Sequence, residues 1–413
     1  MQSSSDQMLT IIRESNKAAA QLAQIPGGKR RLGVRALAEA IVNSFDEILE
    51  ANTLDLEMSR EMAVNEPIAT WLKLTPERLE TTVSILKKLS NSAVPRGSID
   101  APYQLESSQT YCQRIPLGTI ALIYEAFPEL AAITAGMCLK TGNSLIIRGC
   151  NIASNSNKTI AAILKRALAS TDLPLNSIQA ISPDLGTSVQ ELVIQDRYLN
   201  LIIPYGRPSL VQQVAEKATA TVLKTTIGNC YLYWSVSGSL ELTRQVIIDS
   251  HNSEPDAVNA IEKVLVNRDI KPSVLRSLFS SLQQQGFTLR GDVVLVDEFP
   301  EYLKLIQPEE WHRPYLNKIV TFRFVDNLTQ AVFWINRYSS GHADCIVTES
   351  YQESRQFIQG IDSALIYVNT SPKFSRNPEG AEDIFLGMSN QKGYRQGLIS
   401  VETFTTVKQI VQG

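Results

Sequence analysis

Five cysteines, Cys112, Cys138, Cys150, Cys230 and Cys345, are the side chains of this sequence best suited to nucleophilic chemistry. A thiolate is a soft, strong nucleophile whose pKa a protein can tune. No two of them have C-x-x-C spacing, so free thiols in a reducing compartment are expected rather than a disulfide framework. The three histidines, His251, His312 and His342, are far apart, and none lies one helical turn from another. A His-rich zinc site is therefore not expected, and no metal is assigned. Among the cations, Lys140 and Arg148 could meet a nucleotide phosphate or ribose, and each reads equally well as a solvated strand-end charge. Lys29-Arg30-Arg31 reads as a solvated helix face. Trp311-His312-Arg313-Pro314 reads as a loop.

These residues need a scaffold to position them, and the composition supplies one. The 413 residues carry 39 Lys and Arg against 42 Asp and Glu, a net charge of −3, which argues against a nucleic-acid partner. Hydrophobic residues make up 44% and charged residues 20%, values of an ordinary globular protein with room for two domains. No apolar run is long enough to span a membrane, and the start Met1-Gln2-Ser3-Ser4-Ser5-Asp6 lacks a signal-peptide pattern. A cytoplasmic location is expected.

Helical periodicity predicts helices over 6–22, 29–52 and 76–90, with Pro26-Gly27-Gly28 between the first two and Thr75 capping the third. Tyr103 to Arg114 alternates loosely and reads as an extended arm. Short apolar runs at 119–124, 144–148, 178–181, 199–203, 221–223 and 231–233 then alternate with helical stretches. A second alternating block has strands expected at 260–266, 318–325, 343–348 and 364–369. This alternation predicts βαβ units and parallel sheets with helices on both faces. The tail from Pro372 is polar and Gly-rich, with a closing strand expected at 403–411.

Two segments carry a family resemblance: Ile115-Pro116-Leu117-Gly118-Thr119-Ile120-Ala121-Leu122-Ile123-Tyr124-Glu125-Ala126-Phe127-Pro128 and Leu139-Lys140-Thr141-Gly142-Asn143-Ser144-Leu145-Ile146-Ile147-Arg148-Gly149. With Leu201-Ile202-Ile203-Pro204, Ile227-Gly228-Asn229-Cys230, His342 to Thr348 and Ile366-Tyr367-Val368-Asn369, they resemble γ-glutamyl phosphate reductase, a branch of the aldehyde dehydrogenase superfamily. The resemblance runs through almost the whole chain. It implies an aldehyde dehydrogenase-like α/β fold with two doubly wound domains and a β arm for oligomerisation. Residues 1–102 and 115–236 would form the nucleotide-binding domain and 237–385 the catalytic-type domain. Residues 103–114 and 386–413 would form the arm, making a homodimer or larger oligomer. It also implies NADP(H) as cofactor, with the active site between the domains. Lys140, Arg148, Gly149, Pro204 and Gly206 would be the cofactor-binding positions, retained or vestigial.

The family reaction proceeds through a cysteine that attacks the acyl phosphate, in a segment of the form R-P-S-x-C-N. Here the matching segment is Glu254-Pro255-Asp256-Ala257-Val258-Asn259. Val258 stands at the nucleophile position, with Glu254 and Asn259 as its neighbours, and a valine has no atom that can attack a carbon. Glu254 and Asp256 put negative charge where an anionic substrate would be repelled. Phe127 stands where the family has arginine, and Tyr205-Gly206-Arg207 where it has R-G-G. The sequence therefore points first to a catalytically inactive homologue with a binding, regulatory or scaffolding role, which could pair with an active reductase. Two alternatives stay open: an active NADPH-dependent reductase with an unlocated nucleophile, and hydride transfer that needs no acyl intermediate.

Overall fold

The computed structural model describes residues 4–92, 98–100, 109–252, 257–393 and 395–413. The chain divides into two compact units: Met1–Thr225 with Arg376–Leu386 and Leu398–Gly413, and Thr226–Ser375 with Gly387–Gly397.

The first unit opens with five helices: α1 (Ser4–Gln24), α2 (Gly27–Val42), α3 (Phe45–Glu61), α4 (Glu66–Leu72) and α5 (Pro76–Asn91). The single helix predicted over 29–52 is two. The chain breaks at Asn43 and Ser44, residue types of low helix propensity, while the buried stripe of Leu37, Ile41 and Ile48 continues across the break. Thr75 caps α5 by accepting from the Arg78 N–H at 3.3 Å, with Pro76 in the first turn.

After β1 (Ser98–Asp100) and β2 (Gln109–Pro116) come β3 (Thr119–Tyr124), α6 (Leu130–Thr141), β4 (Ser144–Gly149), α7 (Ser154–Ala169), β5 (Ile178–Ala180), α8 (Val189–Val193), β6 (Leu201–Tyr205) and α9 (Pro208–Lys217). The parallel sheet has the order β5-β4-β3-β6. β3, β4 and β6 are buried throughout, which is why they read as unbroken apolar runs rather than alternating ones. The order runs outward from β3 through β4 to β5, then reverses to place β6 on the other side of β3. In such sheets a ligand crevice opens at the carboxyl ends of the strands where the order reverses. The expected strand at 221–223 is only a bridge, with Val222 beside Ile202.

The second unit contains β7 (Cys230–Trp234), α10 (Leu240–Ser250), β8 (Ile261–Asn267), α11 (Pro272–Gln284), β9 (Thr288–Gly291), α12 (Val293–Glu298), β10 (Lys304–Leu305), β11 (Ile319–Val325), α13 (Leu328–Tyr338), β12 (Ala343–Val347), α14 (Tyr351–Gly360), β13 (Leu365–Val368), β14 (Met388–Gln391) and β15 (Arg395–Leu398). Seven parallel strands take the order β10-β9-β11-β8-β7-β12-β13. Leu232, Val264 and Phe322 pack with α10 and α11 on one face, and Tyr231, Tyr233 and Ile346 pack with α13 and α14 on the other. The boundary expected at 236/237 lies instead at 225/226, because β7 bonds to β8 and β12.

β16 (Thr405–Gln412) pairs antiparallel with β2 along its whole length, from Thr405 opposite Pro116 to Gln412 opposite Gln109, and β1 flanks β2 on its other side. Of the arm expected at 103–114, residues 103–108 lie outside the described ones. The arm expected at 386–413 is shorter than the sequence implied. Met388–Gln391 joins the second unit, where the Met388 carbonyl accepts from the Thr226 N–H at 3.0 Å. Arg376–Leu386 belongs to the first unit, although residues up to 385 were expected in the catalytic-type domain.

Candidate active site

Val258 sits on the turn that leads into β8 and is wholly buried. Its carbonyl oxygen accepts from the Gly228 N–H and lies against His342 Nε2, each at 2.8 Å. Facing a carbonyl, Nε2 carries the imidazole proton, and Nδ1 accepts from the Ser340 hydroxyl at 2.9 Å. The Cys230 sulfur lies 3.4 Å from the same Nε2. Asn259 is buried, and its side-chain amide donates to the Pro372 carbonyl at 2.8 Å. Glu254 and Asp256 lie outside the described residues.

Burial sets the charge state of this cluster. It holds the His342 imidazole down to about 4, so the ring is neutral at neutral pH. It also pushes the Cys230 thiol well above its ordinary range, with the buried Asp344 carboxyl adding to the effect. A neutral thiol facing a neutral imidazole is not an activated nucleophile. Burial raises the thiols of Cys138, Cys150 and Cys345 in the same way. His251 caps the C-terminus of α10, bonds the Ile261 carbonyl at 2.9 Å through Nε2 and is held down to about 4 by burial. It anchors the start of β8.

The cationic residues singled out for a cofactor are engaged within the first unit. Lys140 is 1% exposed, and its ammonium donates to the Leu89 carbonyl at 2.5 Å, the Ser92 carbonyl at 2.8 Å and the Ser92 hydroxyl at 2.5 Å. Those bonds use its three protons and tie off the end of α5, so Lys140 does not face a phosphate here. Burial, with Arg31 nearby, holds it down to about 8. Arg148, also buried, donates to the Ile181 carbonyl at 3.2 Å and the Thr187 carbonyl at 2.9 Å. Gly149 makes room for Asn157, whose amide nitrogen would lie 2.0 Å from a Cβ at that position. Asn157 in turn accepts from the Tyr124 hydroxyl at 2.7 Å. Pro204 lies in β6, and its carbonyl accepts from the Thr225 hydroxyl at 2.7 Å.

Gly206 is different, because it lies at the carboxyl end of β6, beside β3, where the strand order reverses. Its φ of +150° and its tight approach to Glu125 favour glycine, since a Cβ would lie 2.9 Å from the Glu125 Cβ. Beside it is a pair that the sequence alone did not reveal. Arg207 donates from Nε to Glu125 Oε2 at 3.0 Å and from Nη2 to Oε1 at 2.6 Å, and its backbone N–H donates to Oε2 at 3.3 Å. Arg207 is also the residue that opens α9.

Behind this pair, Phe127 stacks on Trp71 at 4.8 Å between centroids and meets Tyr205 edge-on at 5.4 Å. Arg376 donates to the Tyr205 hydroxyl at 2.7 Å. The positions where the resembling family carries arginine are thus an aromatic cluster, with a guanidinium supplied from the C-terminal segment. Among the described residues, no group of three or more His, Cys, Asp or Glu is placed to hold a metal ion, and no helix is long and apolar enough to cross a membrane.

Comparison with known proteins gives these features a family context. The model of the aldehyde dehydrogenase family matches residues 1–229. γ-Glutamyl phosphate reductase 2 of Synechocystis is 55% identical over 388 residues, spanning 94% of this chain and 92% of that protein. The γ-glutamyl phosphate reductase of Gloeobacter violaceus is 36% identical over 400 residues, 97% of this chain and 95% of that one. A crystal structure of γ-glutamyl phosphate reductase from Thermotoga maritima matches with a TM-score of 0.88 at 30% identity, covering 98% of each chain.

Proposed function

Since the chain belongs to the aldehyde dehydrogenase family, in its γ-glutamyl phosphate reductase branch, we propose that it reduces γ-glutamyl phosphate to glutamate semialdehyde with NADPH, a step of proline synthesis. The observation that carries this reading is likeness along the whole chain, at 55% identity to a protein named for that activity. The names of the relatives favour turnover over the inactivity expected from Val258 alone.

NADPH, when bound, supplies the hydride. In the first unit, Arg207 and the opening amide of α9 form a donor set suited to one of its phosphates, and they already hold the Glu125 carboxylate as a stand-in anion. In the second unit, Gly228 and His342 fix the backbone at 258 through its carbonyl, whatever side chain that position carries. The route compatible with valine is reduction at the acyl carbon without prior acyl transfer, with phosphate as the leaving group. It asks nothing of the side chain at 258.

One observation favours a second reading, a family member that binds without turnover: Val258 has no nucleophilic atom, and the Cys230 thiol beneath it is held neutral. Both readings place the protein in the cytoplasm as a homodimer or larger oligomer assembled through the arm of β2 and β16. The second adds pairing with an active reductase. The deciding experiment follows NADPH oxidation by the purified chain, with γ-glutamyl phosphate supplied by a glutamate kinase. Turnover that survives replacement of all five cysteines by serine establishes the thiol-free route. NADPH binding with no turnover selects the second reading.

A further inference from the structure

We propose that Glu125 and Arg207 form an internal anion switch, in which the Glu125 carboxylate occupies the place of a dinucleotide phosphate and is displaced from Arg207 when nucleotide binds. The inference rests on the nucleotide-binding reading above and assigns that site its gate.

Three donors of Arg207 converge on one carboxylate: the backbone N–H, Nε and Nη2. A planar guanidinium fork and a helix-opening amide are the groups that hold phosphate oxygens, and the positive end of the α9 dipole adds to them. They lie at the carboxyl ends of β3 and β6, where the strand order reverses. Gly206 keeps the backbone low enough for Glu125 to press against it. The Arg207 side chain is 43% exposed and that of Glu125 12%, so solvent reaches the cation and the carboxylate forms the inner wall. In the motif of the resembling family a glycine stands at 207, where this chain carries the fork. A phosphate and the carboxylate compete for the same donors, and apparent affinity falls by the fraction of molecules in which the pair is open.

The test uses the full chain, Glu125→Gln, Glu125→Asp and Arg207→Gln, with two probes: NADPH followed by fluorescence and inorganic pyrophosphate followed by thermal shift. Glu125→Gln is expected to bind both about tenfold more tightly, the size of one charge-assisted bond. Glu125→Asp, whose carboxylate is drawn back by one methylene, moves the same way by less and covers any folding defect in the glutamine variant. Arg207→Gln is expected to bind about tenfold more weakly. The switch is overturned if neither Glu125 variant gains affinity for either probe, or if NADPH binds equally to all four proteins. A gain for pyrophosphate without NADPH binding supports the switch and removes the nucleotide reading instead.

Discussion

His342 donates its Nε2 proton to the carbonyl oxygen of Val258 at 2.8 Å, so the peptide at position 258 is held by an imidazole from the turn before β12. The bond acts on backbone, and it persists whichever side chain follows. The buried ring is neutral, which lets it serve as a fixed donor across the physiological pH range.

Restoring sulfur at this position is the first expectation. Val258→Cys is close to volume-conserving and is expected to cost about 1 kcal/mol. It should acquire reductase turnover that iodoacetamide abolishes, while any turnover of the parent is insensitive. Assays before and after alkylation check this, and equal sensitivity in both proteins refutes it.

His342→Ala removes one partner each from the Val258 carbonyl, which keeps the Gly228 N–H, and from the Ser340 hydroxyl, which keeps the Gly228 carbonyl, and leaves a cavity. A loss of about 2–4 kcal/mol is expected in urea unfolding, with His342→Gln losing less. A loss below about 0.5 kcal/mol would show that the ring holds nothing in place.

Acid stability follows from the buried titrating groups. His251 and His342 are held to about 4 in the folded chain against about 6.5 when unfolded, so the unfolded state binds more protons between those values. Their contribution to stability is present above pH 6.5 and is lost as pH falls toward 4. Asp344 is raised to about 6 by burial, so its contribution has the opposite sign over pH 4 to 6. Burial raises Glu262 and Asp292 as well, so the imidazoles are opposed by several carboxyls and their share is read by removing one imidazole, worth a slope of up to about 1.4 kcal/mol per pH unit. Urea midpoints at pH 4.5 and 6, measured beside His251→Gln, test it; the variant should show a flatter profile by about one proton.

Tyr205→Phe removes one acceptor of the buried Arg376 guanidinium. A destabilisation of about 1–3 kcal/mol is expected, read as a lower midpoint in thermal or urea unfolding.

On β16, Val407 and Val411 are 43% and 51% exposed and four residues apart in the strand, so they share one face. Val407→Glu with Val411→Glu is expected to shift the protein to a smaller species in light scattering at unchanged helicity. An unshifted mass would move the oligomer interface away from the arm.

The sequence exposed the sheets well because β3, β4, β6 and β12 are buried on both faces and so appear as unbroken apolar runs. It hid which sheet β7 joins, since an apolar strand names no partner. It also hid the break at Asn43, because the buried stripe passes through it. Val258 and Asn259 were legible as a position, on a turn leading into a strand. The fate of Lys140 was not, since its acceptors at Leu89 and Ser92 are brought to it only by the fold. Glu125 and Arg207 likewise meet across 82 positions because β3 and β6 are neighbours.

The last 38 residues alternate between the two units: Arg376–Leu386 belongs to the first, Gly387–Gly397 to the second, and Leu398–Gly413 to the first again. A fragment cut at residue 225 lacks the two C-terminal ribbons of the first unit, Arg376–Leu386 and Leu398–Gly413, while residues 226–413 carry every segment of the second; the first unit should recover its fold only when that tail is supplied.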